Sequence, residues 1–209
     1  MNRSRFLAFS LLALLSVAVL AVFVVPVGAA DDASASVSTR QTAVFAGGCF
    51  WGVDAVFKHV KGVDRVVSGY AGGPASSAQY ETVSTGTTGH AESVEVTYDP
   101  SQVSYNDLLK VFFYAAHDPT ELNQQGPDEG TQYRSAIFYE TEAQREVAEK
   151  SKAAAQGKFS QPIVTEIEKA GAFYPAERYH QDYYKLNKGR NPYCQIVIAP
   201  KLEKLGMDL

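Results

Sequence analysis

The chain runs to 209 residues, 45% of them hydrophobic and 20% charged, which suffices to bury one sizeable core in one globular domain. Its 19 basic and 23 acidic residues leave a formal net charge of -4. That excludes an electrostatic footprint for nucleic acid, whose backbone is held through many Lys and Arg contacts.

In chain order, Arg3 and Arg5 precede an uncharged apolar run from Phe6 to Val25, closed by Pro26 and the small residues Gly28, Ala29 and Ala30. Residues 1–30 read as a signal peptide cut after Ala29 or Ala30. The run also matches the ~30 Å of a bilayer, so an uncleaved N-terminal anchor is the alternative. Either way the remainder is expected to be exported, periplasmic or extracellular. Residues 31–40, rich in Ser, Ala and Asp, read as a flexible leader into a domain over 41–209.

Thr42 to Ala46 forms a short apolar strand ending in Gly47-Gly48, and Val53, Val56, Phe57 and Val60 then follow the spacing of an amphipathic helix. Between Val60 and His90 the glycine-rich composition predicts a long loop. Glu92 to Tyr98 alternates as a half-buried strand, with Glu92 on the same face as Val94, Val96 and Tyr98. Ser104 with Asp107, and Thr141 with Gln144, look like capping boxes opening helices, the first running from Leu108 to Ala116. Strands are expected over 133–139 and 163–167, a last helix opened by Pro175, and a short strand over 195–199. The mixture describes an α+β domain with helices packed on a mixed sheet.

Cys49 stands where the glycine turn hands over to the helix, so the helix's unpaired N–H groups should favour its thiolate. A helix end supplies ~0.3–1 kcal/mol, short of the ~2 kcal/mol needed for half ionisation at neutral pH, so further donors are expected. Phe50 and Trp51 read either as core aromatics or as walls of a pocket. Glu92 on its apolar face should have its pKa lifted by burial, and ~2 units of lift would suit a general acid. The other reading is a salt-bridged carboxylate at a strand end. His59, His90, His117 and His180 show no metal-ligand spacing with the cysteines, and no metal is expected. For Cys49 and Cys194, the only cysteines, a structural disulfide in an exported binding domain is one possibility. A cysteine-dependent hydrolase with His90 or His180 as base is another.

The run Gly48-Cys49-Phe50-Trp51-Gly52 resembles the active-site motif of peptide methionine-(S)-S-oxide reductases, the A-type methionine sulfoxide reductases. The resemblance continues in order through the blocks 86–92, 130–135 and 174–181, and covers roughly residues 41 to 202. It implies that Cys49 is the nucleophile and Glu92 the acid, that Tyr80 and Tyr133 bind the sulfoxide oxygen, and that Asp128 lines the pocket. Phe50 and Trp51 would receive the methyl group. Tyr80 stands in Ser77-Ala78-Gln79-Tyr80, where the family has Asn-Pro-Thr-Tyr, so the approach to it departs from the pattern. Cys194 would be the resolving thiol, although Pro192-Tyr193-Cys194-Gln195 lacks the glycine-rich tail common in the family. The expected fold is a two-layer sandwich of helices on a mixed sheet with a ferredoxin-like core. The expected enzyme is a monomer without cofactor. It would use an external thioredoxin-like thiol donor to reduce the S epimer of free or protein-bound methionine sulfoxide and so repair exported proteins.

Overall fold

The structure, a computed structural model, describes residues 39–206. The signal or anchor reading of residues 1–30 and most of the 31–40 leader lie outside the described residues. Arg40, the last residue of that leader, is ion-paired with Asp64 and, at 3.0 Å, with Asp99, so the chain is tied down as the domain begins.

Strand β1 (Gln41–Gly47) leads into helix α1 (Phe50–Lys58), with Cys49 as the N-cap residue. Gly48 makes the turn at φ +82°, and a Cβ there would fall 2.5 Å from the Gln125 side chain, so no other residue fits. The stretch expected to be a long loop instead contains β2 (Val63–Ala71) and the short helix α2 (Tyr80–Val83). Strand β3 (Ala91–Tyr98) follows, then α3 (Tyr105–Val111), which starts from a reciprocal Ser104–Asp107 capping box and runs on as a π-helical turn over Phe112–Ala116. A small hairpin, β4 (Gln124–Gln125) and β5 (Asp128–Glu129), and a 3-10 turn (Thr131–Tyr133) precede β6 (Ser135–Tyr139). Helix α4 (Glu142–Gln156) begins at the Thr141–Gln144 capping box and is followed by β7 (Glu166–Lys169).

The C-terminal part departs most from expectation. Pro175 does not open a helix; Tyr174–Pro175 is the edge strand β8, and helix α5 (Tyr183–Asn187) starts later from Asp182. The β-branched run expected as a strand is a π-helical turn, Cys194–Ile198, continuing into α6 (Ala199–Leu205). Burial explains it: Cys194 and Ile198, one helical turn apart, are buried, whereas Ile196 between them is 74% exposed.

The six-stranded sheet has the order β7-β6-β1-β3-β2-β8, in which only β6 and β7 run parallel. Phe45 of β1 stacks on Phe57 of α1 and on Phe112, with ring centroids 5.1 and 5.2 Å away, beside Val94 and Val96 of β3. Each such buried aromatic contributes ~1.5–3 kcal/mol by leaving water. The opposite sheet face is lined by the smaller Val44, Ala46, Ala71, Ala91 and Ala136 with Phe138, and packs against Ala170 and Phe173. The main core thus lies between α1, α3 and one face of the sheet, which fixes the N-terminus of α1 over the ends of β2 and β3.

Candidate active site

Cys49, Phe50, Trp51, Tyr80, Glu92, Asp128 and Tyr133 line one cavity of about 260 Å³, together with Asn191 and Tyr193. They come from α1, α2, β3, β5, the turn before β6 and the segment before Cys194. Register brings β2 and β3 into play, because Tyr70 pairs with Glu92 and both side chains reach the α1 side of the sheet.

The Glu92 carboxyl is buried and accepts a 3.0 Å hydrogen bond from the Phe50 N–H in the first turn of α1. Burial nevertheless dominates and pushes its pKa up to about 8, with the Asp128 charge adding to the rise and the Phe50 and Cys49 hydrogen bonds opposing it. The expectation of a buried, proton-holding carboxyl therefore has a physical basis in place, and Glu92 forms none of the ion pairs among the described residues.

Cys49 behaves differently from the simple helix-end argument. The Trp51 N–H and the Tyr193 hydroxyl favour its anion, but burial first, then the Glu92 and Asp128 charges, push the thiol well above its ordinary value. Two carboxylates and a dry wall outweigh the ~0.3–1 kcal/mol of a helix terminus. Tyr80 and Tyr133 are likewise held protonated, by burial and then by Glu92, and remain hydrogen-bond donors.

The aromatic wall is held by residues that the sequence reading did not assign to the site. The indole N–H of Trp51 donates to Nδ1 of His180 at 3.0 Å, and its ring lies flat on Tyr183 at 3.5 Å between centroids. His180 also packs on Phe50 and Tyr80, at 5.0 and 4.4 Å. Glu177 accepts from the Tyr80 N–H at 2.9 Å and from the Tyr70 hydroxyl at 2.8 Å, which fixes Tyr80 despite the unusual residues before it. The Tyr193 hydroxyl donates to Asp128 at 2.5 Å, and the Tyr193 N–H to the Asn191 side chain at 3.0 Å. Glu177 and His180 lie within one of the quoted motif blocks, whereas Asn191 and Tyr193 had no signal beyond their nearness to Cys194.

His90 and His180 do not line the cavity. His90 accepts from the Gly73 N–H and bonds the Pro74 carbonyl, and His180 is occupied by Trp51, so neither serves Cys49 as a base. Cys194 is not among the lining residues either. It is buried beneath the π-helical turn with Ala55 and Ile198, in a cluster that Trp51, Tyr183 and Tyr193 also pack against. Both cysteines are free and buried.

A thiol and a proton-bearing carboxyl at one helix end, facing two phenols in a mostly buried cavity, define a thiol-dependent oxidoreductase site rather than a hydrolase with a histidine base. Sequence comparison specifies which one: the family model of peptide methionine sulfoxide reductase matches residues 41–208, and the chain belongs to that family. Among its relatives, peptide methionine sulfoxide reductase MsrA 2 of Mesorhizobium japonicum is 56% identical over 172 residues, covering 79% of this chain and 85% of that protein. The crystal structure of reduced Mxr1 from Saccharomyces cerevisiae superposes with a TM-score of 0.70 at 36% identity, over 74% of this chain and 89% of that one. Mxr1 in complex with Trx2 also matches, with a TM-score of 0.51 at 27% identity over 70% of this chain and 86% of that one. The protein is accordingly an oxidoreductase acting on methionine sulfoxide.

Proposed function

We propose that the enzyme reduces the S epimer of methionine sulfoxide, in proteins and as the free amino acid, by attack of the Cys49 sulfur on the sulfoxide sulfur. The observation that carries this reading is the convergence of Cys49 and a Glu92 carboxyl with a pKa of about 8 at the first turn of α1. Glu92 gives its proton to the sulfoxide oxygen while Tyr80 and Tyr133 donate hydrogen bonds to it. The thiol proton of Cys49 returns to Glu92. Oxygen passes from methionine sulfur to Cys49 as a hydroxyl, so thiol plus sulfoxide becomes sulfenic acid plus thioether. Phe50 and Trp51 receive the methyl group.

With methyl, oxygen and main chain each assigned a direction, one configuration at sulfur fits. Incubating a peptide bearing both epimers with enzyme and dithiothreitol is expected to consume only the S form, followed by chromatography; equal consumption of both would refute the pocket assignment.

Recycling is assigned to Cys194, which condenses with the Cys49 sulfenic acid to a disulfide that a thioredoxin-like donor reduces, as the existence of a complex between the relative Mxr1 and Trx2 supports. Its burial requires the 191–198 segment to leave its place first. Cys194→Ser is expected to release one equivalent of methionine and then stop at a sulfenic acid trappable by dimedone, with turnover on thioredoxin lost. Normal turnover of this variant would mean that the donor attacks Cys49 directly.

The apolar run of residues 6–25 supports an exported enzyme that repairs oxidised proteins outside the cytoplasm, free or held by that run. The order β6-β1-β3-β2 with α1 and α3 as crossovers supports reading the sheet centre as a ferredoxin-like core.

A further inference from the structure

Lys201 is a lysine in a place where lysine is rarely found. It is only 9% exposed, on the first turn of α6, yet it takes part in none of the ion pairs among the described residues. Lysine is almost never so buried unless an opposite charge meets it. Its Nζ lies 3.4 Å, and its Cδ 3.5 Å, from the point where a Cβ on Gly52 would stand. Gly52 is in the first turn of α1, and its N–H donates at 3.1 Å to the Cys49 carbonyl. The ammonium therefore sits against the positive end of a helix, where a cation is disfavoured unless an anion forms beside it. Burial pulls the Lys201 pKa down; the Cys49 sulfur, when ionised, and Asp128 oppose that fall, Lys204 adds to it, and Glu121 opposes it more weakly.

The chemistry of the site needs such a cation. Glu92 from β3 and Asp128 from β5 both oppose ionisation of Cys49. Tyr80 of α2, Tyr133 of the turn before β6 and Tyr193 of the C-terminal segment face the sulfur as protonated phenols, which donate but carry no charge. His117, behind the turn, is held neutral by burial, with a pKa near 3. None of the groups that shift Cys49 carries positive charge, and the Lys201 Nζ stands against the same first turn of α1.

We propose that Lys201 is a positioning residue of the reductase reaction: carried on α6 to the first turn of α1, its ammonium stabilises the anionic sulfur of Cys49 at the moment of attack. The inference rests on Cys49 being the nucleophile, and it gives the docked C-terminal segment an electrostatic task besides carrying Cys194. Tyr193 and Cys194 lie in the 191–198 segment, and Lys201 follows directly on α6.

The test uses Lys201→Met, close in volume and uncharged, and Lys201→Arg, which keeps the charge, each in the Cys194→Ser background so that Cys49 is the only thiol. The rate of Cys49 alkylation by iodoacetamide is followed against pH, with thermal unfolding as the check on folding. In Lys201→Met the midpoint is expected to rise by about one pKa unit, equivalent to about tenfold less thiolate at neutral pH. The rate of the first methionine release at neutral pH should fall by the same factor. Lys201→Arg should keep the parent midpoint; Lys201→Gln serves if Lys201→Met does not fold. Coincident profiles for the parent and a folded neutral variant overturn the proposal, and so does an equal shift in the arginine variant, which would mark a packing role. Loss of the underlying reading would look different: the Cys49→Ser enzyme would itself turn over.

Discussion

Cys49→Ser is expected to abolish sulfoxide reduction, leaving less than a few per cent of the wild-type rate with dithiothreitol as reductant, while the fold stays intact. The hydroxyl is nearly isosteric with the thiol but has almost no anion at neutral pH, and its oxygen cannot accept a second oxygen to give a reducible intermediate. Stability should move the other way. Cys49 is the N-cap of α1, with non-helical backbone angles of φ -54° and ψ 123°, and makes no side-chain cap hydrogen bond. Serine is among the preferred N-cap residues, and a good cap is worth ~0.5–2 kcal/mol. A variant that is inactive yet at least as heat-stable as the parent separates chemistry from folding. Turnover above a few per cent would take the nucleophile away from Cys49 and leave the pocket without a mechanism.

How much of this could be read from sequence depended on whether one period dominated a segment. β3 was legible because Glu92, Val94, Val96 and Tyr98 alternate without interruption, and the same alternation put the Glu92 carboxyl on the buried face. The two capping boxes announced α3 and α4 by local hydrogen bonding alone. β2 was hidden by a register shift between Val63 and Arg65 and by Gly69 in its middle. That glycine is there for β8: a Cβ at 69 would fall 2.4 Å from both the Phe173 ring and the Tyr174 carbonyl. The residue that lets the edge strand approach thus erased the strand signal. In the 195–199 run, β-branched composition argued for a strand while the buried Cys194 and Ile198, with the partly buried Leu202, follow a helical period. Once that run is helical, Lys201 falls beside α1, a relation that spacing along the chain does not reveal. The motifs singled out Cys49 and Glu92, which the fold brings into one cavity, but not the cost of burying a thiol between two carboxylates, which depends on tertiary neighbours.

Glu92→Gln is expected to slow the first methionine release by ~10²–10⁴-fold, the usual span for a positioned general acid. The amide keeps the shape of the carboxyl and can still accept the Phe50 N–H, so the local structure has no reason to collapse. What it lacks is the proton. Glu92 holds that proton up to a pKa of about 8 because burial penalises its charge, so the wild-type rate should fall as pH rises through about 8, and this limb should flatten in the variant. Stability supplies an independent sign. A carboxyl whose folded pKa lies above its unfolded one favours the folded state at low pH, and the contribution is lost as pH rises from the ordinary carboxyl value through about 8. The wild type should therefore lose stability over that window more steeply than Glu92→Gln, which has nothing to ionise there. Stopped-flow measurement of methionine release and thermal unfolding, both taken against pH, test the two halves separately. An unchanged rate and an unchanged alkaline limb would make Glu92 a structural anchor for the α1 N-terminus, and the proton for the sulfoxide oxygen would have to come from Tyr80 or Tyr133.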